Sequence, residues 1–239
     1  MNIAVITAHP DDAEYLMGGT IIKYTNKGHK VTIIICTNGN VGHPTFPREK
    51  IAKIRLEEAE EGAKVMGAEI TSLGYDDEFM PDTREARLKV LNALRSMKPD
   101  VVFTLHPDGY SNADHRVVSN IAIDMSYLQM VKNIETKHNE TDSYAALYYI
   151  DIPAGIGFEP TDYVDITDVF HKKKEALLKH KSQAAWMTKL GAVSEEFTRN
   201  MEIQSLFRGV QCQCQYAEAF IFLNKYPRAV NKNLLPQYL

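Results

Sequence analysis

Four short apolar runs, each followed by a segment with helical spacing, constrain this chain more than any other feature. Asn2 to Thr7, Val31 to Cys36, Ile70 to Leu73 and Val101 to Leu105 are rich in β-branched residues, and the first two are continuous rather than alternating in hydrophobicity. Continuous runs of that length belong to strands covered on both faces, hence to a parallel sheet. The intervening segments read as helices. Gly18 to Asn26 ends at Gly28, Glu49 to Met66 at Gly67, and Arg84 to Met97 at Pro99, while Arg116 to Val131 follows the fourth run. Strand and helix alternating in this way predict an α/β, Rossmann-like three-layer fold with right-handed crossovers and a mostly parallel central sheet.

Beyond residue 131 the pattern weakens. Asn133 to Ser143 reads as a loop, Ala145 to Ile150 as a strand, Pro153 to Pro160 as a loop and Val169 to Lys181 as a helix, and the tail from Glu195 is mixed. No repeat, low-complexity segment or linker divides the chain, and 239 residues suit one domain, so residues 1–239 are read as a single unit. Lys plus Arg number 27 against 31 Asp plus Glu, a net charge of −4, which argues against a nucleic-acid partner. The one basic run, Lys172 to Lys174, reads as a solvated helix face. No apolar stretch approaches the roughly 20 residues of a membrane helix, and Met1 to Ala8 do not read as a signal peptide. Three cysteines form no disulfide framework and suit a reducing compartment, so a cytoplasmic protein is expected. Cys36 reads as core, whereas the signal of Cys212 and Cys214 is too short and solitary to favour the metal or redox role that such a pair can have.

Open α/β sheets bind ligands at the carboxyl ends of their strands, and polar clusters collect there in this sequence. His9-Pro10-Asp11-Asp12 follows the first strand, Asn38 to His43 the second, and His106 to His115 the fourth. Pro10 stiffens a turn short enough to aim His9 and Asp12 at one point. With His115 as third ligand, two imidazoles and a carboxylate make the donor set of a catalytic zinc site, which keeps room for a water of lowered pKa. Other divalent ions, Fe²⁺ and Co²⁺ among them, accept the same N/O donors. Asp11, beside the ligand Asp12 but aimed elsewhere, is the natural general base. The bland alternative is a polar loop in which an Asp caps a helix. Asp114 likewise reads either as an acceptor behind the metal ligands or as a helix cap. His43 and His106 are candidate proton donors, or loop histidines without a role. Neither a Gly-x-Gly-x-x-Gly turn, a phosphate loop nor a Gly-x-Ser-x-Gly elbow is present.

Ala8 to Glu14 with Gly18-Gly19-Thr20 resembles the opening signature of the PIG-L/LmbE family of zinc-dependent N-acetylglucosaminyl deacetylases, which includes enzymes of mycothiol and bacillithiol synthesis. Arg55 with Glu57-Glu58-Ala59 is similar to its Arg-x-x-Glu helix, and Asp114-His115-Arg116 to its Asp-His element. His180 to Gln183 and Tyr216 to Phe220 resemble later family segments. The resemblance implies a Rossmann-like fold, His9, Asp12 and His115 as zinc ligands, Asp11 as base, Glu14 in a supporting role, Arg55 against substrate and an oligomeric assembly. The expected substrate is a small acetylated amino sugar or its conjugate, with Arg55, His43, His106 and Asp108 as candidate contacts and Asp114 paired with the catalytic group. Two positions depart from the family pattern. Asn112 stands where many members carry a histidine; it can donate to an oxyanion but cannot deliver a proton to an amine. No arginine lies between Arg116 and Arg199, where some members place one facing substrate. Two rival readings follow: a zinc hydratase or lyase acting on an unsaturated oxo-acid, and a sugar-binding protein of this fold that has lost turnover.

Overall fold

In the computed structural model, which describes residues 1–108, 112–184, 196–225 and 233–239, the first two apolar runs become β1 (Asn2–Thr7) and β2 (Lys30–Thr37). They pair in parallel, Ile3 against Val31 through Thr7 against Ile35. β3 (Glu69–Tyr75) adds in parallel to β2, β4 (Val101–Thr104) to the other side of β1, and β5 (Ala146–Ile150) to β4. Every residue of β4 and β5 is buried, as continuous apolar runs require. Each fully buried Val, Ile, Leu or Phe side chain contributes about 1.5–3 kcal/mol relative to exposure.

Among the described residues the principal helices are α1 (Asp12–Asn26), α2 (Arg48–Met66), α3 (Arg84–Met97), α4 (Ala113–Leu128), α5 (Phe170–Leu177) and α6 (Glu196–Cys212). α1, α2 and α5 pack together, as do α3 and α4, so helices cover both faces of the sheet. α3 matches its expected bounds because local chemistry sets both ends. Thr83 Oγ1 accepts from the Ala86 amide at 3.3 Å, and Pro99 follows the left-handed Lys98.

Two helices start earlier than their periodicity indicates. α1 begins at Asp12, with a break at Met17 (φ −146°), and α4 begins at Ala113, capped by Asn112, whose Oδ1 accepts from the amides of Asp114 and His115. The motif residues Asp12 and His115 therefore sit in first helical turns. The mixed tail resolves into α6 and β7 (Ala217–Phe222), which runs antiparallel to β5. β6 (Asp162–Asp165), a short edge strand with polar flanks that periodicity does not reveal, pairs antiparallel with β7. Among the described residues the sheet order is β3-β2-β1-β4-β5-β7-β6. No described helix is long and apolar enough to cross a membrane.

The Lys172 to Lys174 run is not a solvated face throughout. Lys173 is 2% exposed and pairs with Glu218 Oε1 at 2.7 Å. Glu218, on β7, also accepts from the amides of Gly19 and Thr20 in α1 at 2.9 and 2.6 Å. This knot ties the late segment Tyr216 to Phe220 back onto the opening motif.

Candidate metal centre and cleft

The strand order reverses direction between β1 and β4, since β2 and β3 extend one way from β1 and β4 and β5 the other. That is the switch point where open α/β sheets form their ligand crevice. The turn after β1 carries His9 and Asp12, and the first turn of α4, after β4, carries His115. A cleft of about 550 Å³ opens over them.

Local backbone chemistry sets the first candidate pair, His9 and Asp12. The Ala8 carbonyl is held by both the amide and the hydroxyl of Thr37, at 2.9 Å each. The amides of Ala8 and His9 then donate to Asp12 Oδ2 at 3.1 and 2.8 Å, leaving Oδ1 to face inward. His9 Nδ1 lies 3.1 Å from His115 Nε2, which is 3.4 Å from Asp12 Oδ1; His9 Nδ1 lies 3.6 Å from Asp12 Oδ2. The three side chains offer ligand atoms that all lie within 4.8 Å of one another. A tetrahedral ion with bonds of about 2.0–2.1 Å spaces its ligand atoms about 3.3 Å apart, so this set fits one.

The charge balance fits as well. Burial disfavours a charged His9, but the carboxylates of Asp114, Asp12 and Asp77 outweigh it and raise the imidazole well above its ordinary value. Burial likewise favours a neutral Asp12, yet His115 and His9 hold it well below the usual carboxylate range. Imidazoles surrounded by this many carboxylates suit a dication.

Further carboxylates stand behind the candidate ligands. His9 Nε2 lies 3.1 Å from Asp77 Oδ1 and 3.6 Å from Asp114 Oδ2. Asp77 is 3% exposed, and its amide donates to Asn40 Oδ1 at 3.2 Å. Asp114 accepts from the amides of Glu78 and Met80 at 2.7 and 2.9 Å. Of the two readings open for Asp114, capping falls away because Asn112 is the cap. The loop after β3 therefore completes the site. Glu78 sits in it at φ +66°, a left-handed conformation costly for a residue with a Cβ, and its Oε1 accepts from Asn112 Nδ2 at 3.0 Å.

Asp11 occupies the N-cap position of α1 but makes no side-chain capping bond. Its Oδ1 faces Arg55 Nη2 at 3.1 Å instead, and it lines the cleft. Arg55, expected against substrate, is 4% exposed and gives its guanidinium to Asp11 and, at 3.6 Å, to Asp77. It reaches them beneath the loop after β2, where a Cβ on Gly39 or Gly42 would meet it at 2.6 or 2.5 Å.

His43, His106 and Asp108 do not line the cleft. His43 stacks on Phe46, and its Nδ1 accepts from the amides of Thr45 and Phe46 at 3.2 Å. His106 packs edge-on against Tyr149 and Phe158, accepts from the Asp108 amide at 3.2 Å, and is lowered in pKa by burial. Asp108 is exposed. The residues 109–111 that follow lie outside the described residues. The cleft adds members that sequence reasoning missed: Asp77, Glu78, Tyr15, Gln183 and Phe197. The acidic run Asp76 to Glu78, at the carboxyl end of the third strand, was the signal available for the first two.

Fold and site together define an α/β protein with a candidate divalent-metal cleft at its switch point. Residues 4–126 match the PIG-L family, described as GlcNAc-PI de-N-acetylase, and the chain belongs to that family. The diacetylchitobiose deacetylase of Thermococcus kodakarensis is 30% identical over 92% of this chain and 82% of its own. The solved N,N'-diacetylchitobiose deacetylase of Pyrococcus horikoshii superposes with a TM-score of 0.82 at 28% identity, covering 93% of this chain and 83% of that one. GalB, the 4-carboxy-2-hydroxymuconate hydratase of Pseudomonas putida KT2440, shares the fold with a TM-score of 0.80 at 22% identity, covering 98% and 99%.

Proposed function

We propose that this chain hydrolyses the N-acetyl group of an N-acetylglucosamine-type amino sugar or its conjugate, releasing acetate and a free amine. One observation carries the reading: a three-ligand metal group and a carboxylate outside that group, Asp11, share one cleft. The names of its relatives, diacetylchitobiose deacetylases among them, support the acetylated amino-sugar class.

A divalent cation held by His9, Asp12 and His115, zinc foremost and iron or cobalt also suited to these donors, supplies Lewis acidity toward water and an amide carbonyl. Asp11 is the general base: Oδ1 is engaged by Arg55, and Oδ2 takes the proton of the attacking water. Protonated Asp11 then delivers that proton to the departing nitrogen, because His43 and His106 lie outside the cleft lining. Asn112 Nδ2 carries two N–H groups; one is engaged by Glu78, and the other is the donor for the oxyanion. Asp114 and Asp77 hold His9 in place, and Arg55 holds Asp11.

We further read the chain as one domain. We also read the setting as cytoplasmic, because three cysteines are too few to build a disulfide framework. Ile203, Phe207 and Val210, an exposed apolar row on α6, support an oligomer.

The test is acetate release by metal-loaded protein from a panel of N-acetylglucosamine conjugates, with an unsaturated oxo-acid alongside. Asp11→Asn should retain metal and lose about 10²–10⁴-fold in rate. A full rate for that variant would overturn the assigned base, and hydration of the oxo-acid without acetate release would overturn the reaction class.

A further inference from the structure

α6 ends at Cys212, and Cys214 begins the return toward β7. Gln213, between them, takes φ +61°, and the Cys214 amide donates to the Gly209 carbonyl at 3.0 Å. This is the long bond of a Schellman helix end, with an unusual non-glycine residue in its left-handed position. A Cβ on Gly209 would meet the carbonyl oxygens of Gln215 and Cys214 at 2.5 and 2.6 Å, so only glycine lets the chain fold back this closely. On a continuing helix, residues two apart do not face each other. The turn reverses that and brings the two sulfurs to 3.5 Å. Both cysteines are partly exposed. Cys212 Sγ donates to the Arg208 carbonyl at 3.4 Å and Cys214 Sγ to the Tyr216 carbonyl at 3.3 Å, which keeps the pair side by side.

We propose that Cys212 and Cys214 form a redox-active dithiol that a small-molecule disulfide oxidises to an intramolecular disulfide. A disulfide bond is about 2.05 Å long, so the sulfurs approach by about 1.5 Å. The Cys212 thiolate attacks one sulfur of the small disulfide, forming a mixed disulfide and expelling one small thiolate. Cys214, after losing its proton, attacks the Cys212 sulfur and expels the second. Two electrons pass from the protein sulfurs to the small disulfide, and the two protein protons end on the two released thiols. Burial, together with the Cys212 thiol and Asp165, pushes the Cys214 thiol up to about 12, which makes it the resolving partner. The remaining cysteine, Cys36, is wholly buried in β2, and burial raises its thiol further. It serves as an internal control. Phe197 and Asn200, in the opening turns of α6, line the cleft, whereas the thiols lie at the helix's other end, so the proposal stands apart from the metal centre.

The test incubates the metal-loaded full chain with oxidised glutathione, followed by alkylation, intact mass and peptide mapping. The expected product has lost two hydrogens, carries a bond between Cys212 and Cys214, and alkylates at Cys36 only after unfolding. Cys214→Ser should stop at the mixed disulfide and retain one glutathione on Cys212. Wild-type protein that keeps glutathione adducts without closing the ring would overturn the proposal. So would wild-type protein that stays fully reduced after prolonged exposure.

Discussion

Arg55 Nη2 lies 3.1 Å from Asp11 Oδ1, and the same guanidinium reaches Asp77 at 3.6 Å. One buried cation thus links Asp11, the proposed base, to the carboxylate behind His9. A lysine would keep the charge but not the planar fork that serves two acceptors. Arg55→Lys should therefore lower kcat for acetate release by at least about tenfold through loss of positioning, with metal content unchanged. Steady-state kinetics with metal analysis on the same sample checks this. A variant with wild-type kcat would show that the fork does not hold Asp11 for catalysis.

Asp77 stands outside the His9, Asp12 and His115 group, although with His9 and Glu78 it forms a second set that could hold an ion, and it faces the outer nitrogen of His9 at 3.1 Å. Partners of this kind fix the imidazole's tautomer and orientation, and removing one typically costs 10–100-fold in metal affinity. Asp77→Asn keeps the shape and removes the charge. Competition against a chelator should show a weaker metal site by a factor in that range, and an unchanged affinity would remove Asp77 from the centre.

These two residues also mark where sequence reasoning stopped. His9, Asp12 and His115 were legible as candidates because His9 and Asp12 directly follow β1, His115 stands at the start of the helix after β4, and β1 and β4 are neighbours. Arg55 was legible only as part of a motif, since its partners lie 44 and 22 positions away in the chain and its route passes beneath glycines of another loop. The β3 loop went unread because β3 is half-exposed and its apolar signal is weak, so the acids after it did not stand out. Asn112 carries two jobs that residue type alone does not separate, as helix cap through Oδ1 and partner of Glu78 through Nδ2. The order β5-β7-β6 depends on antiparallel pairing between distant segments, which no local periodicity encodes.

His180 is wholly buried, 3.4 Å from Glu14 Oε1, with Asp11 and Arg55 acting on it more weakly. Burial opposes its charge, but Glu14 outweighs burial and raises its pKa above the ordinary value. A histidine raised in the folded state contributes stability in full below its unfolded pKa of about 6.5 and loses it as pH climbs through the folded value. Urea midpoints of wild type and His180→Gln should therefore differ most in mildly acidic solution and converge as the pH rises past neutrality. A gap that widened with pH would show that the pair is held neutral instead.

Glu218 accepts from Lys173, Gly19 and Thr20 with almost no solvent access, so removing it strands a buried ammonium and two amides at once. Breaking one partner of a buried pair costs about 3–5 kcal/mol, whereas replacing both with apolar groups of similar volume is often nearly neutral. Glu218→Leu should fall in that range by denaturant unfolding, while Lys173→Met alone should also destabilise by leaving the carboxylate uncompensated. The double variant Lys173→Met with Glu218→Leu should recover part of the loss but not all of it, because the Gly19 and Thr20 amides remain without an acceptor. Full additivity of the two single losses would mean that Lys173 and Glu218 act independently, and the knot joining β7 to the opening motif would then rest on the amide bonds alone.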